Sequence, residues 1–339
     1  MSLPTAPMGK NGPQVNRLGF GLMGLSAFYG APKPDEERFA VLDAAYEKGE
    51  RNWDTSDLYG DSEVLLGKWF KANPGKRENI FLATKFAAVT HPDGTYTTDS
   101  SPEYAKQACA KSLERLGLPN IDLYYIHRLD QKTPIEKTMQ AMVEMKNEGK
   151  FKYIGMSECS AKSIRRAHAV HPVTAVQVEY SPFSLEIESD QINVLSTCRE
   201  LGVAIVAYSP LGRGLISGQY TSPDDFEDSD IRKWLPRFSK ENFPKNLELV
   251  KQMNEVAKRK NITPSQLALA WLLAQGDDIF PIPGTQRIGR LEENIGGATV
   301  QLTKEEEQEI RKAVEAAEVV GPRYPDFIMG TCYADTPEL

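Results

Sequence analysis

The 339-residue sequence predicts an α/β chain folded as one closed (β/α)8 barrel, and three observations point there. Short apolar runs suited to buried strands alternate with amphipathic helical patterns, giving about eight β→α units in one series, the number a closed parallel barrel needs. No Ser/Gly-rich linker or shift of composition divides the chain, so residues 1–339 read as a single domain. Polar residues of chemical interest fall at the C-terminal ends of successive strand candidates, where barrel enzymes keep their chemistry.

The units run in order. Residues 15–21 are short and apolar enough for a first strand. Residues 34–49 read as a helix: acids in the first turn, Phe39, Val41, Leu42 and Ala45 at helical spacing, and Gly49 as a stop. Residues 52–55 give the second strand and 62–72 the second helix, with Asp61 or Ser62 as its cap. Residues 79–85 form a buried strand with a lysine at its end, 102–116 an amphipathic helix, and 121–127 a strand ending on histidine. Pro134 suits the first turn of a helix over 134–147. Strands at 152–157, 175–180 and 203–208 then alternate with helices at 160–170 and 190–201. A long polar loop, 217–245, follows the seventh strand. Helices at 245–259 and 264–274, a last strand at 278–282, and helices at 287–295 and 304–318 complete the chain. Two of these helices, one before the last barrel helix and one at the C-terminus, are additions to the barrel count. The tail after Gly321 shows no periodicity.

Composition narrows the function class. The chain is 40% hydrophobic and 26% charged, ordinary for a globular protein. A net charge of -7, from 40 Lys plus Arg against 47 Asp plus Glu, argues against a nucleic-acid or anionic-membrane partner. The cysteines, Cys109, Cys159, Cys198 and Cys332, are scattered and read as free thiols of a reducing compartment. Residues 1–12 lack the apolar core of a signal peptide, and no run is long enough to span a membrane. A cytoplasmic enzyme is the expectation. Four histidines, none paired on one strand, speak against a metal-dependent hydrolase, so no metal is expected.

Gly19-Phe-Gly21-Leu-Met-Gly24 fits the G-x-G-x-x-G fingerprint of dinucleotide-binding doubly wound folds. That motif needs a helix directly after the strand, whereas Gly30, Pro32 and Pro34 postpone the helix here. The expected acid about 20 residues on is missing as well. The glycines are read instead as letting a ligand lie close to the backbone at the first strand's end.

Asp54 and Tyr59 follow the second strand, Lys85 closes the third and His127 the fourth. Singly, each has a plain reading: a capping acid, a half-buried ring, a solvated lysine, a core histidine. On successive units of one rim they converge. A phenol with a reference pKa of about 10 is a poor acid at neutral pH. Lys85 beside it favours phenolate and should lower that value, while Asp54 keeps the lysine charged. His127 is placed to orient a substrate carbonyl oxygen. Such a set protonates an oxygen as negative charge develops on it, which is carbonyl reduction when a hydride donor sits opposite.

These residues resemble the aldo-keto reductase family, a (β/α)8 TIM barrel that uses NADPH, over roughly residues 17–299. The resemblance implies Asp54, Tyr59, Lys85 and His127 as the catalytic tetrad, with Tyr59 the general acid. It implies Ser157 and Gln177 at the nicotinamide carboxamide, and Tyr208 stacked on the ring. The phrase Ser209-Pro-Leu211-Gly212-Arg213-Gly214 falls at the cofactor, as do Gly21, Met23 and Asp54 beneath it. Pro283, Gly284, Thr285, Arg287, Arg290, Glu293 and Asn294 resemble the adenosine-phosphate site, and the two arginines favour NADPH over NADH. Many members carry Asn after the carboxamide-binding Ser; Glu158 stands here, as in the branch with a Ser-Glu-Cys/Ala-Ser phrase. Phe28 and Trp234, with Tyr59 and His127, are the expected substrate pocket, and the partner is a small carbonyl compound. The rival reading is an NADPH-holding regulatory subunit of a channel, with little turnover.

Overall fold

The computed structural model describes residues 3–91 and 95–339. Among them, eight strands lie parallel in one sheet in chain order: β1 Phe20–Gly21, β2 Asn52–Asp54, β3 Phe81–Phe86, β4 Ile121–Ile126, β5 Phe151–Ser157, β6 Ala175–Glu179, β7 Ala204–Tyr208 and β8 Ile279–Pro281. The first and last strands meet. Gly19 N–H donates to the Pro281 carbonyl at 2.9 Å and Gly21 N–H to that of Pro283 at 3.1 Å, and Gly21 bridges to Gly284. Both glycines are needed at this seam. A Cβ on Gly21 would come 2.7 Å from the Ile282 carbonyl oxygen, and one on Gly284 2.6 Å from that of Gly21. The predicted barrel is therefore the fold, and the fingerprint at Gly19–Gly24 belongs to its seam. A single helical turn, Met23–Ser26, follows there, and the first full helix waits until Asp35–Glu47.

Every residue of β4 is buried, because its outer face lies under helices and its inner face fills the barrel. Ala83, Leu123, Tyr125, Ala175, Val206 and Phe280 make the inner cluster. Their neighbours Leu82, Tyr124, Ile126 and Ile205 belong to the outer cluster, as a period of two requires. The N-terminal end is plugged by a hairpin, Thr5–Pro7 against Gln14–Asn16, which adds Ala6, Met8 and Val15 to the inner cluster. The expected strand over residues 15–21 is thus two pieces, and only Phe20–Gly21 is barrel. The turn at Gly9 to Gly12, which lets Met8 N–H reach the Pro13 carbonyl at 2.9 Å, pulls residues 14–16 into the hairpin.

Local chemistry sets the helix ends. Pro102–Leu116 matches its expected limits because Ser101 accepts the Tyr104 N–H at 3.3 Å and Gly117, at φ +63°, terminates the last turn. The helix expected at 190–201 is shortened to Val194–Leu201, since Asn193 takes φ +52°. Asp61 precedes Ser62–Ala72 but does not cap it; its carboxylate pairs with Arg38 at 2.7 Å. Phe243–Lys260 and Lys304–Ala316 are the two added helices. The polar loop after β7 is a chain of short 3-10 turns, Gly212–Ser217, Pro223–Asp225, Ile231–Trp234 and Pro236–Phe238, anchored by Phe226, Phe238 and Phe243. The region after Lys85 also holds a small hairpin, Ala88–Thr90 with Tyr96–Thr98.

The aperiodic tail is fixed by charge. Ala334 N–H donates to the Glu158 carbonyl at 3.0 Å and Ser160 N–H to that of Ala334 at 2.8 Å. Arg323 grips both Glu158 carboxylate oxygens at 3.0 Å, with the two residues 2% and 0% exposed. Burial pushes the Glu158 carboxyl up, but Arg323, the Arg128 charge and the Tyr208 hydroxyl outweigh it and hold it at about 2. Arg323→Met would leave that carboxylate buried without its partner, and the expected loss is about 3–5 kcal/mol in chemical denaturation. Cleavage of the tail in limited proteolysis should rise in parallel. A folded-state value below the ordinary one means the stabilisation is present above pH 4.5 and is lost as pH falls through about 2.

Candidate active site

The strand ends bring the four expected groups together. Lys85 Nζ donates to Asp54 Oδ1 at 2.5 Å, to the Thr55 carbonyl at 2.7 Å and to the Tyr59 hydroxyl at 3.3 Å. Parallel register does the positioning: Asp54 stands opposite Ala83, two residues before Lys85, so the lysine reaches back along the barrel to the acid. The loop after β2 then carries Tyr59 over the ammonium, 4.8 Å from its ring centroid. His127 follows β4, with its ring edge-on to Tyr59 and its Nδ1 3.1 Å from Ser56 Oγ. Gln177, on β6, donates to the second Asp54 oxygen at 2.8 Å.

The electrostatics correct one expectation. Burial is the largest influence on Tyr59 and raises it above the ordinary phenol value; Lys85 opposes that shift without reversing it. Tyr59 is a protonated hydroxyl at neutral pH, not a phenolate. Burial likewise works against the Lys85 ammonium, but Asp54 and Tyr59 lift it above its ordinary value. Asp54 is pushed up by burial, against the charge of Lys85 and the donors from Lys85 and Gln177. His127 lies well below its ordinary value because burial and the Arg128 and Lys85 charges disfavour the imidazolium.

Above this set opens a cavity of about 790 Å³. Asp54, Tyr59, His127 and Phe28 line it; Lys85 does not, being enclosed beneath Tyr59. The expected cofactor residues on its wall are Gly21, Met23, Ser157, Gln177, Tyr208, Ser209, Leu211, Arg213, Gly214, Pro283, Gly284, Thr285, Arg287, Arg290 and Asn294. Gly212 is turned to Phe183, and Glu293 sits behind Arg290, which it accepts at 2.5 Å. Trp234 does not form a wall. It is 74% exposed, because Arg232 in the same turn packs on Tyr29, Tyr220 and Phe226 and faces Trp234 outward. The walls that sequence reasoning missed are Arg128, on the residue after His127, and Tyr324, Ile328 and Thr331 of the tail. The tail carries no pattern that would place it there. A second cation beside the rim histidine was a readable signal. His91, bonded to Thr97 in the small hairpin, and His168 and His171 lie away from the cavity.

The wall fits a phosphorylated dinucleotide. Helix Ile288–Gly297 begins with no side-chain cap, leaving its first N–H groups for an anion, and Arg287 and Arg290 flank that end. Arg290 is also tied to Gln219 of the loop after β7 at 3.0 Å, across the cavity mouth. At the opposite end Ser157 and Gln177 are register partners on adjacent strands, a hydroxyl and an amide side by side on the wall. The Tyr208 hydroxyl donates to Glu158 at 2.9 Å, which fixes the ring. Arg213, on the same wall, pairs with Glu179 at 2.8 Å. Among the described residues no metal-holding cluster is found, and no helix is long and apolar enough to cross a membrane.

Comparison with known proteins agrees with this geometry. A model of the "Aldo/keto reductase family" matches residues 17–315. The chain is 54% identical to the aldo-keto reductase str7 of Strobilurus tenacellus, over all of this chain and 99% of that one. It is 52% identical to the aldo-keto reductase yakc [NADP(+)] of Schizosaccharomyces pombe, with the same coverage. Among solved structures, the glycerol dehydrogenase AKR11B4 of Gluconobacter oxydans superposes with a TM-score of 0.82 at 24% identity, covering 94% of this chain and 97% of that one. The thermostable aldo-keto reductase Tm1743 does so with a TM-score of 0.73 at 26% identity, covering 92% and 100%. With the barrel, the rim tetrad and relatives matched end to end, this chain belongs to the aldo/keto reductase family and is an oxidoreductase.

Proposed function

We propose that this protein reduces an aldehyde or ketone to the alcohol, using NADPH, in the cytoplasm. The observation that carries the reading is the buried relay in which one ammonium, Lys85, touches both Asp54 and the hydroxyl of Tyr59 at the floor of the cavity. Bound NADPH would supply hydride to the carbonyl carbon. The residues of the chain do the rest. Tyr59 holds a proton beneath the carbonyl oxygen and gives it up as negative charge grows there. Lys85 steadies the phenolate that remains, and Asp54 keeps Lys85 charged and in place. Ser56 Oγ lies 3.1 Å from His127 Nδ1; in the tautomer where Ser56 donates that contact, the ring proton is on Nε2 and would orient the carbonyl oxygen.

Several features support NADPH. Arg287 and Arg290 beside an uncapped helix end suit a 2′-phosphate, and the fission-yeast relative carries NADP(+) in its name. Ser157 and Gln177 would hold the carboxamide, with Tyr208 against the ring face. The str7 and yakc relatives are both named aldo-keto reductases, which favours turnover over a cofactor-holding channel subunit.

Tyr59→Phe removes only the transferable proton. Turnover of a generic aldehyde should fall on the order of a hundredfold or more, while NADPH affinity in a fluorescence titration is retained. Parental turnover in that variant would rule Tyr59 out as the acid. His127 should remain neutral through pH 6 in imidazole ¹⁵N spectra of the folded protein. Because its folded-state value is depressed, the unfolded chain binds the extra proton, and stability should decline as pH drops below 6.5. An imidazolium signal at pH 6 would overturn the orienting role.

A further inference from the structure

Arg128 is the one guanidinium beside the reacting groups that the proposed chemistry leaves unused. Its Nη1 donates to the His127 carbonyl at 2.8 Å and to Ser157 Oγ at 3.2 Å. Its Nε and Nη2 donate to no protein atom, and no carboxylate forms an ion pair with it, among the described residues. The group lines the cavity together with His127, Ser157 and Tyr324.

The buried ion pairs around it close without it, and Asp225 and Glu227, the acids of the loop after β7 on the same wall, make no ion pair with it. Lys85 matches Asp54, Arg213 matches Glu179, and Arg232 matches Asp230. Glu158 is near enough to favour the Arg128 charge, but both its oxygens are taken by Arg323. Arg287 and Arg290 stand on the far side of the barrel seam, after β8. A guanidinium does not shed its proton to relieve the imbalance. Among the described residues, the catalytic end of the cavity therefore holds one positive charge with a free donor edge and no carboxylate in direct contact with it.

We infer that Arg128 is a specificity-determining residue whose free edge takes a carboxylate on the carbonyl substrate, so that oxo acids are preferred over neutral aldehydes. A planar fork of donors suits a carboxylate better than any neutral group, and a site built around such a donor discriminates against a ligand that leaves it unpartnered. Ser157 and the His127 carbonyl hold the other edge, so the fork is oriented before substrate arrives.

The inference rests on the carbonyl-reductase reading, and the test separates the two. With the full chain and NADPH, kcat/KM is measured for oxo acids of graded length against matched neutral aldehydes: succinic semialdehyde with butanal, 4-carboxybenzaldehyde with benzaldehyde. For the better-fitting pair the acid should be preferred by roughly tenfold or more. Arg128→Gln should bring that ratio to about one, chiefly through KM for the acid, and Arg128→Lys should retain part of it. A ratio near one in the wild-type chain, or a ratio that Arg128→Gln leaves intact, overturns the inference. So does a rise in NADPH Kd with the ratio intact, which assigns Arg128 to the cofactor through Ser157. Failure of every aldehyde to react would instead count against the reductase reading. Calorimetric titration of benzoate against benzamide on the NADP-loaded wild-type protein then reads the same charge without turnover, and equal affinities sink the inference.

Discussion

The site depends on an ammonium with no exposed surface. Lys85 is enclosed by the barrel, and a charge taken out of water is tolerable only where an opposite charge and further acceptors meet it. Asp54 supplies the charge and the Thr55 carbonyl a second acceptor, so the strand end of β2 is fixed from within by what β3 carries. That leaves one direction for the third donor of Lys85, toward Tyr59. The position of the phenol follows from satisfying the lysine.

A second set of buried charges holds the walls in the same way. Glu158 and Glu179 close β5 and β6 on the rim, and each is answered from outside the barrel: Glu158 by Arg323 of the tail, Glu179 by Arg213 of the loop after β7. Two segments without regular structure thereby become defined surfaces of the cavity, with Tyr324 between the two arginines, Arg213 4.5 Å from its ring centroid. Buried pairs of this kind contribute less to net stability than hydrophobic packing would, but each is costly to half-remove. Their effect here is placement.

The barrel and its rim were legible because both rest on short-range pattern. Runs such as Ile121–Ile126 announce strands covered on both faces, and helix limits like those of Pro102–Leu116 follow from a Ser, a Pro and a Gly in sequence. Asp54, Tyr59, Lys85 and His127 could be assembled in advance because a closed parallel sheet makes consecutive strand ends neighbours. Where the reading failed, long-range or conformational facts decided. The split of residues 15–21 depends on a turn at Gly9–Gly12, and the outward face of Trp234 on how Arg232 packs among three rings. The tail's place in the cavity wall is set by Arg323 and Glu158, 165 residues apart, a pairing that no local pattern encodes.

The balance at Tyr59 also shows why the spacing of charges matters more than their presence. A lysine near a tyrosine suggests a lowered phenol pKa, yet enclosing both raises it, since burial acts on the phenolate more strongly than an ammonium 3.3 Å away can compensate. The ammonium is not a free charge, being already engaged by Asp54, whose other oxygen is taken by Gln177. One carboxylate therefore links the lysine under Tyr59 to a side chain on the cavity floor opposite Ser157. The result is a hydroxyl that keeps its proton, with a cation 3.3 Å away that offsets part of what burial costs the phenolate.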